Sequence, residues 1–168
     1  GGAIDFALAG MTVTDERLKS VNFSDTYAKG VQVIIVKEDS AIKTVDDLGT
    51  SDAKIGVQQD TTGDIYASDE PKNWGFGKDN VIQYKTGADA VQALLTDKVT
   101  AVIIDNEPAK SFIQVNEGLK ILEGEYANEE YAICVQKGNT DLLDKINTAL
   151  KELKADGTID KIVAKYIK

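Results

Sequence analysis

The sequence has no histidine, a single cysteine and a single arginine among its 168 residues. Without histidine, the chain cannot build a Ser-His-Asp triad, a Cys-His pair or a histidine metal site. The one thiol, Cys134, cannot form an internal disulfide or a paired-thiol metal site. Its position in the apolar run YAICV predicts a buried, small apolar side chain. Most common hydrolase chemistry is therefore excluded, and we predict no metal site.

Positive charge and long hydrophobic runs are also scarce. There are 19 basic and 28 acidic side chains, a net charge of -9, and such a field repels nucleic-acid phosphates and anionic lipids. No apolar run reaches the ~18 residues of a transmembrane helix, and no basic segment leads into an apolar stretch at the start. We predict neither a nucleic-acid partner nor a direct membrane span. Either the protein is cytosolic, or its signal segment is not present in this chain.

Strand-like and helix-like segments alternate along the chain. Runs rich in β-branched residues, such as VQVIIVK, VIQYK and TAVIID, are separated by stretches with helical spacing. This order favours an α/β fold with a parallel sheet. We expect helices to start at Thr44 and Thr86, because each Thr can act as N-cap and an acid follows three residues later. The length allows one domain or two small ones.

The only tryptophan, Trp74, lies in the loop SDEPKNWGFGKDN at residues 68–80. The Gly and Asn residues of this loop are typical of a turn-rich excursion from the core. Trp74 is either a platform for a ligand or an anchor that packs the loop on its own domain. We expect the second role, because a large apolar ring gains most from burial.

The single arginine, Arg17, lies near the start of a predicted helix. Thr14 can cap this helix, and the dipole favours Asp15 and Glu16 in its first turn. Two interpretations of Arg17 are open. Its guanidinium, with the N–H groups and hydroxyl of residues 10–12, matches a carboxylate, because arginine donates two parallel hydrogen bonds. Alternatively, Arg17 forms a surface ion pair with Asp15 or Glu16, which would contribute little.

Five ordered segments across almost the whole chain resemble one family, the extracytoplasmic amino-acid-binding proteins of ABC importers. They are AGMTVTDER (9–17), VNFSDTY (21–27), IGVQQDTTGD (55–64), AVIIDNEPA (101–109) and KADGTIDKIVAKYIK (154–168). The resemblance implies a type II periplasmic-binding-protein fold, in which two α/β lobes close like a hinge on a free amino acid. It also implies delivery to a membrane permease, with no catalytic residue and no cofactor. The location would be extracytoplasmic, either periplasmic or as a cell-surface lipoprotein.

The resemblance assigns four residues to the α-carboxylate of the amino acid. Gly10 resembles a backbone N–H donor, Thr12 a backbone and hydroxyl donor, and Arg17 the salt-bridge partner. Thr62 is similar to the residue that reaches the same carboxylate from the second lobe, through a backbone N–H. In the competing interpretation, Thr62 and its neighbour Thr61 are capping residues only.

The resemblance also makes Asp105, at the end of the strand TAVIID, the acceptor for the α-ammonium. Ligands of open α/β sheets bind outside the carboxyl ends of strands, which agrees with this position. Alternatively, or in addition, Asp105 is the N-cap of the helix that contains Pro108. Gln59 is a further candidate for reading the ligand side chain, and ordinary loop is the competing interpretation.

The chain differs from the family at its N-terminus. It begins at the strand that is normally third, so two βα units, ~60 residues at ~30 each, are absent. We therefore predict a complete second lobe at 31–124 and a partial first lobe at 1–30 and 125–168. The partial lobe buries little apolar area and should need completion. The expected partner is a complementing N-terminal segment or a swapped copy of the chain.

Two other functions use the same fold. One is an enzyme similar to cyclohexadienyl dehydratase, which would need a general acid in the cleft, and Glu107 is the nearest candidate. We interpret Glu107 instead as a solvated acid at a helix start. The other is the ligand-binding domain of a sensor or receptor, which usually continues into a membrane segment. The resemblance favours the solute-binding subunit over both.

Overall fold

The computed structural model describes residues 3–50 and 52–167. Helices alternate with strands, which confirms the predicted α/β class. The chain forms two compact units, one made of the residues up to Gly30 and from Glu129 onwards, the other of Val31–Asn128. The second unit thus ends at Asn128, whereas the predicted second lobe ends at 124. None of the described helices is long and apolar enough to cross a membrane.

The described elements follow the alternation expected from the sequence. In chain order they are β1 (Phe6–Thr12), α1 (Asp15–Ser20), β2 (Val21–Lys37), α2 (Val45–Thr50), β3 (Ile55–Gln58), α3 (Thr62–Ser68), β4 (Val81–Tyr84), α4 (Gly87–Leu95), β5 (Ala101–Asp105), α5 (Asn106–Val115), β6 (Leu119–Ile121), β7 (Ala127–Gln136), α6 (Thr140–Ala155) and α7 (Thr158–Tyr166). The predicted strand VQVIIVK is only the second part of the 17-residue β2.

In the first unit, β7 lies between β1 and the first part of β2. β1 runs antiparallel to β7, with Thr12 opposite Tyr131 and an irregularity in the register between Ala7 and Met11. Cys134 lies opposite Ala7 and is half-buried, so the prediction of a buried side chain is wrong.

In the second unit, the sheet is mixed, which corrects the expectation of a parallel sheet. The strand order is β2-β5-β3-β4, and β6 pairs with the outer side of β2. β3 is parallel to both β4 and β5, because α3 and α4 provide the crossovers that parallel strands require. β2 is antiparallel to both β5 and β6.

The core of the second unit covers both faces of its sheet. Alternate residues of β2 point to opposite faces, so Ile34 and Val36 pack in one cluster while Val33 and Ile35 pack in the other. Each fully buried side chain of this kind contributes roughly 1.5–3 kcal/mol. The partners on the first face include Ile55, Val57 and Ile103, and those on the second include Val91, Leu94 and Val102.

Both predicted helix starts in this unit are confirmed. Thr44 Oγ1 accepts from the N–H of Asp47 at 3.4 Å, and Asp47 Oδ2 accepts from the N–H groups of Lys43 and Thr44 at 2.8 and 2.9 Å. The backbone donors of Lys43 and Thr44 hold the pKa of Asp47 below its ordinary value. At α4, Thr86 Oγ1 accepts from the N–H of Asp89 at 3.1 Å.

The first unit has an exposed apolar surface. Leu8 is 59% exposed, Ile162 51% and Tyr166 65%, whereas Leu150 is buried. A groove of about 440 Å³ crosses this surface between β1, β2, α6 and α7. We call it the apolar groove, and its lining is Phe6, Leu8, Tyr27, Ala28, Ile133, Ile146, Ala149, Leu150, Leu153, Ile159, Ile162, Val163, Tyr166 and Ile167.

Trp74 is not a loop anchor, contrary to the expectation from the sequence. Its side chain is 82% exposed, and its backbone is in the left-handed region with φ 67°. Phe76 holds the loop instead, because it is buried and its ring stacks on that of Tyr126 at 5.7 Å between centroids. Burial raises the pKa of Tyr126, whose hydroxyl donates to the carbonyl oxygen of Trp74 at 3.2 Å.

Candidate functional site

The end of β1 and the start of α1 bring Thr12 and Arg17 together. Arg17 Nη1 donates to the carbonyl oxygen of Thr12 at 2.9 Å. Thr14 Oγ1 accepts from the N–H of Arg17 at 3.2 Å, so Thr14 caps α1 as predicted. Thr12 is buried and Arg17 is half-buried. The guanidinium is therefore held against the end of a strand.

The alternative ion pair for Arg17 involves two acids at the start of α1. One of them, Glu16, pairs with Lys19 one turn along the helix. Both side chains of that pair are largely exposed, so the pair contributes little. Glu16 is therefore engaged by a lysine, while the guanidinium of Arg17 contacts the strand.

Gly10 lies in the irregular part of β1 and has a positive φ of 60°. Its N–H donates to the hydroxyl oxygen of Tyr27 at 3.0 Å. A Cβ at Gly10 would lie 3.7 Å from the ring of Tyr131, and a Cβ at Gly30 would lie 2.1 Å from the same ring. A larger residue at Gly30 would therefore displace the ring of Tyr131, and the N–H of Gly10 already has a phenol partner.

In the second unit, Gln32 joins Asp105 to Thr62, although the sequence did not single it out. Asp105 ends β5 and lies directly opposite Gln32 of β2. Gln32 Nε2 donates to Asp105 Oδ1 and, at 3.4 Å, to Thr62 Oγ1. Asp105 occupies the N-cap position of α5, but its side chain makes no capping hydrogen bond. The carboxylate is thus oriented by Gln32 rather than by the helix.

A cavity of about 150 Å³ lies beside Asp105. Its lining combines amides, a hydroxyl, a carboxylate and apolar groups from Gln32, Gln58, Thr61, Gly87, Ile104, Asp105, Pro108 and Phe112. Gln59, the predicted candidate for side-chain recognition, is exposed and does not line this cavity. Gln58, the last residue of β3, lines the cavity instead. Successive residues of a strand point to opposite faces, so neighbours such as Gln58 and Gln59 are expected to face different sides. That alternation is the sequence signal that could have identified Gln58.

The start of α3 is fixed by a second buried carboxylate. Thr61 caps the helix, since its Oγ1 accepts from the N–H of Asp64 at 3.4 Å. Asp64 Oδ2 accepts from the N–H of Asp60 at 3.0 Å and from Gln83 Nε2 at 2.7 Å. Thr61 is therefore a cap, whereas Thr62 is a buried residue of the first turn whose hydroxyl meets Gln32.

Glu107 behaves as an acid at a helix start. Its carboxylate pairs with Lys110 at 2.8 Å, one turn further along α5, and its side chain is 33% exposed. Such a pair is typical of a partly solvated helix surface. Across residues 3–50 and 52–167, no group of acidic or thiol side chains could hold a metal ion.

Comparison with known proteins extends over the whole chain. The model of a family described as bacterial extracellular solute-binding proteins, family 3, matches residues 1–168. The ABC transporter glutamine-binding protein GlnH of Bacillus subtilis (strain 168) is 33% identical over 167 residues, which are 99% of this chain and 59% of GlnH. The arginine-binding extracellular protein ArtP of the same organism is 30% identical, over 97% of this chain and 63% of ArtP. The chain thus spans about three fifths of the length of these relatives.

A solved structure gives the same result for the fold. An ancestral arginine-binding protein bound to arginine is 41% identical to this chain with a TM-score of 0.85, covering 99% of this chain and 73% of that one. At this identity and similarity, the implied type II periplasmic-binding-protein fold is confirmed.

Proposed function

Because the chain belongs to family 3 of the bacterial extracellular solute-binding proteins, we propose that the complete protein binds a free α-amino acid and delivers it to the permease of an ABC importer. The observation that carries this proposal is a pair of opposite charges, each at a strand end. Arg17 lies against the end of β1, and Asp105 ends β5. A zwitterion requires one group of each kind.

The carboxylate site would be built mainly by the first unit. Arg17 supplies the charge, while Thr12 and Gly10 add neutral donors. The bond from Arg17 Nη1 to the carbonyl of Thr12 supports this role, since it fixes the plane of the guanidinium. On binding, the N–H of Gly10 would exchange the Tyr27 hydroxyl for a ligand oxygen. Thr62 would add a donor from the second lobe.

The ammonium site would be the carboxylate of Asp105. This carboxylate is half-buried beside a cavity and is already oriented by an amide donor. A buried or partly buried ion pair is favourable only when the geometry of both charges is fixed. The arrangement around Asp105 meets that condition on the protein side.

The cavity beside Asp105 would take part of the ligand side chain. Its amides can donate and accept, so Gln58 is the residue we assign to side-chain recognition. Gln59 is exposed and would act only at the rim of the site. The relatives are named for glutamine and for arginine, which makes these two amino acids the first probes.

The lobes and the location form part of the same proposal. The second lobe would be complete at 31–124, and the first would be partial at 1–30 and 125–168. The family is extracellular, so the protein would work outside the cytoplasm, either in the periplasm or as a lipid-anchored protein at the cell surface.

The first lobe would be completed by additional polypeptide. The apolar groove supports this inference, because side chains such as Leu8 and Ile162 are largely exposed. A segment that precedes this chain in the complete protein is the occupant we propose, and a swapped second copy is the alternative.

The proposal is for binding without catalysis. The matched relatives are named as binding proteins. Glu107, the general acid that an enzyme on this fold would need, is paired with Lys110 on the surface of α5.

The test combines two measurements. Native mass spectrometry of protein purified from rich medium identifies any amino acid that co-purifies, and isothermal titration with L-glutamine and L-arginine measures its affinity. We expect saturation of one site by an α-amino acid. The proposal fails if the complete protein binds none of the twenty amino acids.

A further inference from the structure

We propose that Gln32 is a positioning residue of the amino-acid site, which holds the ammonium acceptor Asp105 and the first turn of α3 in one fixed arrangement. The inference rests on the proposed function, because it assigns the role of Gln32 through Asp105 and Thr62. Gln32 would not touch the ligand through its donor group, which is turned towards these two residues.

The backbone places Gln32 where it can serve both elements. It lies opposite Asp105 in the antiparallel pair of β2 and β5. Its carbonyl oxygen accepts from the N–H of Tyr126 at 2.9 Å, so its main chain is fixed by a second hydrogen bond outside that pair. Only 2% of the residue is exposed. A side chain with so little access to water is held by its protein partners.

The side-chain amide is confined by packing as well as by hydrogen bonds. Nε2 donates to Asp105 Oδ1 and to Thr62 Oγ1. On the other side of the amide, Oε1 packs closely against Gly63. A Cβ added to this glycine would lie only 2.8 Å from Oε1. Glycine in the first turn of α3 therefore lets the helix approach the amide, and the rotamer of Gln32 is restricted.

A neutral amide at Gln32 suits the role proposed for Asp105, which is to accept a hydrogen bond from the ligand ammonium. A neutral N–H donor orients the carboxylate of Asp105 without neutralising its negative charge. A lysine or arginine in the same place would neutralise that charge. A glutamate would place a like charge against Asp105. Glutamine is thus the residue type that fixes this carboxylate without competing for its ligand.

The test measures how strongly the protein distinguishes an amino acid from the analogue that lacks the ammonium. In the complete protein, titrations compare L-glutamine with glutaramate, and L-arginine with 5-guanidinopentanoate, before and after Gln32→Met. We expect the ratio of the two affinities to fall about tenfold or more, since a hydrogen bond to a charged group is lost. If the Met variant does not fold, Gln32→Leu takes its place, because it also removes the donor and adds no charge beside Asp105.

Gln83→Met is the matched control. It also removes an amide donor from a carboxylate at the start of α3, that of Asp64, but leaves Asp105 untouched. We expect this variant to keep the wild-type ratio. If Gln32→Met lowers the affinities for amino acid and analogue equally, or leaves both unchanged, Gln32 has only a structural role and the inference is overturned.

A second readout does not depend on any ligand. The methyl order parameter of Thr62, measured by NMR in the ligand-free chain, should fall in Gln32→Met, because the hydrogen bond from Gln32 to the Thr62 hydroxyl is lost. An unchanged value in Gln32→Met would refute the positioning role. If the wild-type protein binds none of the probes, the proposed function fails, while this measurement still decides whether Gln32 orders Thr62.

Discussion

Arg17 is the residue whose replacement tests the carboxylate site most directly. In the complete protein, we expect Arg17→Lys to weaken amino-acid binding by ~2–4 kcal/mol, because a two-bond charged contact becomes a single contact. Isothermal titration measures the change. Lys19→Gln is the control, since Lys19 is a cation of the same helix that pairs with exposed Glu16. An unchanged dissociation constant for Arg17→Lys would assign Arg17 to a structural role.

Asp105→Asn tests the ammonium site in the same assay. The Asn carbonyl oxygen can still accept from Gln32, and no capping hydrogen bond is lost because Asp105 makes none. We therefore expect binding to fall while the melting temperature of the ligand-free protein changes little. A variant that melts early but binds normally in its folded fraction would make Asp105 structural.

The sequence predicted the charged residues of the proposed site but not the neutral residues that contact them. Arg17 and Asp105 stand in segments that resemble a known family, so their roles could be predicted. Gln32 and Tyr27 could not be, because each acts through a contact with a residue distant in sequence, 73 positions away for Gln32 and Asp105 and 17 for Tyr27 and Gly10. Such contacts depend on the fold as a whole.

At the scale of elements, the start of α2 carries a pH-dependent contribution to stability. Hydrogen bonds from the N–H groups of Lys43 and Thr44 lower the pKa of Asp47 in the folded state. The contribution is therefore present above the ordinary pKa of 3.8 and is lost as the pH falls through the lower folded value. We expect Asp47→Asn to reduce the loss of stability on acidification.

Urea unfolding of the chain at about pH 6 and about pH 3 measures this difference. Asp46→Asn serves as the control, because it removes the neighbouring carboxylate of the same helix turn and keeps Asp47. If Asp47→Asn loses as much stability on acidification as the unmodified chain, the cap does not provide the pH dependence.

Helix starts were predictable and strand directions were not, for a physical reason. The caps at Thr44 and Thr86 join residues three positions apart, so the sequence contains both partners side by side. The antiparallel pairing of β2 with β5 joins residues about 70 positions apart, such as Ile34 and Ile103. The exposed Trp74 has a similar origin, because Phe76 and Tyr126 occupy the anchoring role from two parts of the chain.

At the scale of the whole molecule, the two units differ in how completely they cover their apolar residues. The sheet of the second unit has helices on both faces, and residues such as Ile35 and Val102 are 0% exposed. The first unit has the apolar groove, where Leu8 and Tyr166 are mostly exposed. Burial of apolar area is the main stabilising contribution in a domain, so the first unit should be the less stable one.

Hydrogen exchange tests this difference on the chain itself. In the monomer, verified by analytical ultracentrifugation, we expect slow exchange in TAVIID at 100–105, and faster exchange in IDFALA at 4–9 and YAICVQ at 131–136. β1 is the last strand in the order of the described sheet, with β7 next to it, so its outer edge lacks a strand partner there. The uncovered apolar groove is lined by residues of both β1 and β7. Association with a complementing segment, or between copies, should slow exchange in both strands of the first unit and leave TAVIID unchanged. A strictly monomeric chain that protects all three strands equally would show that the first unit is stable alone, and the proposal of a partial first lobe would then fail.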